Sequence, residues 1–137
     1  MTQGSQMNKQ KTKIIWGFLF SSHFLYIWMG EVIKPELSEP PAEVVFAGLL
    51  LLGLGALLLG ILGIPNLMKA QNEGQLTQIF IMQWALVEMA AILGFVGRYM
   101  GAPDILQHAM AAFALLAMLY LFPSEKVKKE MLKKGAK

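Results

Sequence analysis

The chain has 137 residues, 55% hydrophobic and 15% charged, and its apolar residues fall into long blocks that leave almost nothing for a soluble domain. It contains no cysteine, which excludes thiol redox chemistry, disulfide staples and thiolate metal sites. The net charge of +3 becomes informative only when it is divided between the two faces of a membrane.

Crossing a hydrocarbon layer of about 30 Å takes about 20 residues of helix. Ile14–Ile33, Val44–Ile64, Leu76–Val96 and Ile105–Phe122 each meet or nearly meet that length. The expected fold is an all-α integral membrane protein with four transmembrane helices, at about 14–33, 44–64, 76–97 and 105–122. A basic arm at 1–13, polar and without periodicity, reads as disordered, and a basic tail follows at 123–137. The first block is too long for the apolar core of a signal peptide and lacks a small-x-small cleavage site, so it reads as a helix.

In chain order, helix one is aromatic, with Trp16 and Trp28 near its two ends, where amphipathic rings favour the headgroup level. Lys34-Pro35 and Pro40-Pro41 stop regular structure before helix two. Helix two is mostly Leu and Gly. Gly48, Gly55, Ala56, Gly60 and Gly63 lie on one broad stripe and are expected to form a helix-packing face, because small residues let backbones approach closely in a membrane. Ile64-Pro65-Asn66 ends that helix, and Asn72, Glu73 and Gly74 mark a polar turn before helix three. Gly101 to Asp104 form a tight turn, with Asp104 the expected N-cap of helix four. After Pro123, Ser124 is expected to cap a short Lys-rich helix that rests on anionic headgroups.

An even number of spans puts both termini on one side, together with Lys9, Lys11, Lys13, Lys69 and the six lysines from Lys126 to Lys137. Only Lys34 and Arg98 lie opposite, so the positive-inside bias predicts cytoplasmic termini and a multi-pass protein of the cell (inner) membrane.

Glu88 sits within the third apolar block, and a charged side chain at mid-bilayer costs about 2.5–3.5 kcal/mol on insertion scales. His23, beside Ser21 and Ser22, lies at matching depth in helix one. Two ionisable groups at one level in different helices can share a proton or bind a cation, so Glu88 and His23 form the candidate ion-binding site. The alternative is that Glu88 is a permanently protonated structural donor to a backbone carbonyl or to Ser22. Gln83 is expected to bond to another helix or subunit, while Gln107, His108, Arg98 and Tyr99 read as interfacial anchors. The histidines and carboxylate make a poor transition-metal constellation, and no metal or cofactor is expected. No G-x-S-x-G, H-E-x-x-H, P-loop or dinucleotide fingerprint occurs, so an enzyme is not expected.

Residues 46–97, read as a hairpin, carry Gly48, Gly53, Gly55 and Gly60, then a polar loop, then Ala85-Leu86-Val87-Glu88-Met89-Ala90-Ala91-Ile92-Leu93-Gly94. This resembles the proteolipid (c) subunits of rotary ATP synthases and vacuolar-type ATPases. The resemblance implies that Glu88 binds the transported proton or sodium ion. Pro65-Asn66 with a glutamate in helix three gives a weaker resemblance to ATP synthase protein I, a small four-helix membrane protein associated with ring assembly. The expected function is a proteolipid-like membrane subunit of an ion-translocating complex. The alternative is a structural or assembly subunit that transports nothing. Expected partners are the lipid bilayer and either further copies of the chain or other membrane subunits, with no nucleic acid.

Overall fold

Residues 3–33 and 43–135 are described by a computed structural model, and among them the regular structure is entirely helical. The helices are α1 (Gln3–Val32), α2 (Glu43–Leu67), α3 (Glu73–Tyr99), α4 (Asp104–Tyr120) and α5 (Glu125–Gly135). By length and composition α2 and α3 can each cross a membrane, and α4 with α5, bent by 75° at their junction, makes a third candidate. Ser21, Ser22, His23 and Glu31 make α1 less apolar than these. The outward surface is nonetheless greasy, with Phe18, Leu25, Leu51, Leu58, Phe113 and Leu116 all more than half exposed.

The arm expected to be disordered is largely part of α1, which already runs from Gln3. Its Met, Lys and Gln residues favour helix, and no proline interrupts them before the apolar block. Most of the Pro- and Glu-rich loop at 34–43 lies outside the described residues.

Antiparallel α3 and α4 make the most extensive contact, and α1 and α2 each pack against both of them. Trp84, Val87, Ala90, Ala114 and Met118 are wholly enclosed in the core. Close approach of α3 to α4 depends on Gly94, where a Cβ would stand 2.8 Å from Met110 Cβ. The turn between them needs Gly101, whose φ of 89° suits glycine, and closes with Ala102 N–H donating to Gly97 O at 2.8 Å. Asp104 is the first residue of α4 and not its N-cap: Pro103 holds the cap position, and the Asp104 carboxylate turns to Arg98 instead. Ser124 does cap α5, accepting from Val127 N–H at 3.3 Å.

The glycine-rich helix does not end at Pro65. It passes through a π-turn, Leu59–Gly63, in which Ile64 N–H donates to Leu59 O, five residues back. In that frame the donor to Gly60 O would be residue 65, and proline has no N–H. Gln83 Nε2 of α3 fills the gap, donating to Gly60 O at 3.0 Å from a buried position. Replacing Gln83 by Leu therefore orphans a buried carbonyl and is expected to cost about 1–3 kcal/mol in a denaturant titration in detergent. A change within about 0.3 kcal/mol would show that the carbonyl finds another partner.

Helix two was expected to present a single small-residue stripe, and the fold divides it. Ala56 is buried, and a Cβ on Gly60 would stand 3.0 Å from Gln83 O, so these two face α3. Gly53, which lies outside the expected stripe, belongs with them, set against Met110 of α4. Gly48 and Gly55 look into open space, and Gly63 meets only the side chain of Leu59 on its own helix. The inward row of α2 is thus Gly53, Ala56, Leu57, Gly60 and Ile64, set by spacings of three and four.

Candidate functional site

Glu88 lies on the face of α3 turned toward α1, with only 7% of its surface exposed. The partners come from one face of α1, because Leu19, Ser22, His23 and Tyr26 recur at helical spacing. Ser22 Oγ contacts Glu88 Oε1, and the His23 ring, wholly buried, places Nδ1 3.3 Å from Glu88 Oε2. The Tyr26 hydroxyl is a further hydrogen-bond partner of Glu88. The structure thus brings together both candidate site residues and Ser22.

Sequence reasoning misses Tyr26. Its signal is present, as a phenol four residues from Ser22 on the same face, but an aromatic-rich helix makes one more ring inconspicuous.

Counting hydrogens shows what this arrangement can do. Ser22 Oγ also lies 2.6 Å from Leu19 O, and His23 Nδ1 lies 2.8 Å from the same carbonyl. A hydroxyl has one hydrogen, so Ser22 can donate to only one of its two oxygen neighbours at a time. With a carboxylate at Glu88, Ser22 donates to it and His23 alone serves Leu19 O. With a proton on Glu88, the carboxyl donates to Ser22 Oγ, and Ser22 passes its own hydrogen to Leu19 O. Both protonation states are accommodated by rotating one hydroxyl, without moving a heavy atom.

Two buried atoms at the site keep unused capacity: His23 Nε2 and Glu88 Oε2 lack a hydrogen-bond partner among the described residues. A His23 that donates through Nδ1 carries a bare Nε2 when neutral, an acceptor for one further proton. Groups of His, Cys, Asp or Glu large enough to hold a metal ion are absent among the described residues.

Toward the Lys-rich end, the layer next to this cluster is aromatic. Trp16 stacks on Phe20 at 4.9 Å, and Phe80 stacks on Trp84 at 5.5 Å. Both indoles are tied down at the end of α4, Trp16 donating to Met118 O at 2.9 Å and Trp84 to Leu121 O at 3.2 Å. Those carbonyls are the ones a helix C-terminus leaves open, so the indoles complete α4 while filling the bundle. Trp16, expected as a headgroup anchor, is instead a half-buried strut. Trp28, 61% exposed, keeps the position of an interfacial ring.

At the opposite end, Gln107 is buried at 2% exposure and is no surface anchor: its Nε2 donates to Tyr26 O at 2.9 Å. His108 is exposed and pairs with Glu31 at 3.2 Å, linking α4 to α1. Comparison with known proteins finds no matching family model, no matching curated relative and no matching solved structure.

Proposed function

We propose that the protein is a four-span membrane subunit of an ion-translocating complex, in which Glu88 takes up and releases a proton inside the bilayer. Ser22, His23 and Tyr26 hold the carboxyl in both states, and His23 Nε2 offers a second place for a proton in transit. In this reading α1 supplies the fourth span, the Lys-rich end faces the cytoplasm, and the membrane is the cell membrane. The outward Gly48 and Gly55 meet partner helices, from further copies or other subunits. The protein makes and breaks no covalent bond other than those to hydrogen.

One observation carries the reading: the Glu88 cluster closes its hydrogen bonds with or without the carboxyl proton, at the cost of turning one hydroxyl. Exchange at such a site needs no repacking of a dense interior. A second reading, an assembly subunit that transports nothing, draws on the enclosure of Glu88 within a single copy.

An apolar carbodiimide separates the two, because it modifies protonated carboxyls reached from lipid. Selective labelling at Glu88 that rises as pH falls, with proton flux lost and assembly kept in Glu88→Gln, is the expected result. Inertness of Glu88 across the pH range in the folded protein would overturn the proposal and leave the assembly role.

A further inference from the structure

The two halves of the bundle on either side of Glu88 are unlike, and the difference gives a direction to proton access. On the α-helical rise, Glu88 is about 15 Å from Arg98 at one end of α3 and about 22 Å from Glu73 at the other. The longer, Lys-rich half is filled by Trp16, Phe20, Phe80, Trp84 and Met118, and both indole N–H groups already have acceptors. Nothing in that layer can pass a hydrogen bond onward. The shorter half holds a ladder of polar groups. From Glu88 the Tyr26 hydroxyl is the first rung, and the Tyr26 carbonyl is bonded to Gln107 Nε2. Gln107 Oε1 is buried without a partner among the described residues. Beyond it, one turn farther along α1 and α4, lies the exposed Glu31–His108 pair.

Gln107 is held at the junction of three helices by two glycines. A Cβ on Gly30 of α1 would fall on the Gln107 amide, and a Cβ on Gly94 of α3 would stand 3.5 Å from Gln107 Cα. Leaving an amide oxygen unbonded in a dry interior costs about 1–3 kcal/mol, and the penalty disappears when a water molecule reaches it. The fold thus keeps a polar acceptor waiting, between Glu88 and the nearer surface.

We propose that Glu88 exchanges its proton only with the Glu31–Asp104 end of the bundle, through water admitted at Gln107, and that Gln107 is the positioning residue of that half-path. The inference rests on Glu88 being a proton-exchanging group. On release, the Glu88 O–H bond breaks, the carboxylate keeps the electron pair and accepts from Ser22 and Tyr26, and the proton leaves on water past Gln107. The aromatic layer closes the other direction.

The test uses the full chain, uniformly oriented in vesicles, with the Glu88 carboxyl band followed by time-resolved infrared after a pH jump applied to one side. The band, identified by its loss in Glu88→Gln, is expected to respond to a jump on the Glu31–His108 side and to stay constant after a jump on the Lys-rich side. Gln107→Leu is expected to slow the response at least about tenfold while leaving its final amplitude unchanged. A response to the Lys-rich side, or an unchanged rate in a folded Gln107→Leu, overturns the half-path alone. A band that responds to neither side overturns the exchange role of Glu88 as well. The sidedness measurement needs only the natural chain, so it decides the matter even where Gln107→Leu fails to fold.

Discussion

Replacing Glu88 by Leu is expected to destabilise the protein by about 2 kcal/mol, while Gln at the same position is expected to change stability by less than about 1 kcal/mol. The carboxyl is the common partner of Ser22, His23 and Tyr26, so a leucine leaves the buried His23 ring and two hydroxyls facing hydrocarbon. Removing one member of a buried polar set in a water-soluble protein costs about 3–5 kcal/mol. In membrane proteins measured interhelical hydrogen bonds average about 0.6 kcal/mol and reach about 1.7, because the unfolded chain also finds partners in the bilayer. Three partners at the lower unit value set the expectation near 2 kcal/mol. Glutamine keeps a donor for Ser22 Oγ and an acceptor for the Tyr26 hydroxyl, so it imitates the protonated acid without being able to release a proton. Denaturant titration in detergent micelles measures both. Equal losses for Leu and Gln would mean that the site needs the charge and not the hydrogen bonds.

A larger loss, about 3 kcal/mol or more, is expected for Gly94→Leu. The obstacle at Gly94 is Met110 Cβ at 2.8 Å, an atom fixed to the α4 backbone, with Gln107 Cα behind it at 3.5 Å, so a side chain must push two helices apart. Gly53 offers a useful contrast. Its nearest obstacle is the terminal Cε of Met110, the mobile end of a flexible side chain, and Gly53→Ala is expected to cost less than about 1 kcal/mol. Gly48→Ala and Gly55→Ala, with nothing within 4 Å in the described residues, are expected to leave the stability of the single chain unchanged. If either one instead disperses a native assembly, the outward glycine face is where copies or partner subunits meet. Thermal unfolding and mass measurement in the same detergent read both effects.

Much of this was legible in the sequence, and the failures have physical causes. Apolar block length locates α2, α3 and α4, and the depth match of His23 with Glu88 follows from counting residues from the block ends, since helical rise is uniform. Rotation about each helix axis is what counting cannot supply. It decided that Gly53 and not Gly55 faces α4, and it put Gln107 inside the bundle although it stands only one turn from the end of α4. The Gln83–Gly60 bond was hidden for another reason. Pro65 reads as a stop, whereas the chain absorbs it with a π-turn and a borrowed side-chain donor, and only the second helix reveals where that donor comes from. Likewise α1 runs back to Gln3 because polar residues with good helix propensity continue a helix that the apolar block has already nucleated.

The reversible protonation of Glu88 is tested most directly by an infrared titration of its carboxyl group in lipid bilayers, with Glu88→Gln as the blank. The account predicts a protonated-carboxyl band that is lost on raising pH, returns on lowering it, and leaves the helical amide bands unchanged throughout. A band that persists at every pH the fold survives would make Glu88 a fixed hydrogen-bond donor and contradict the account.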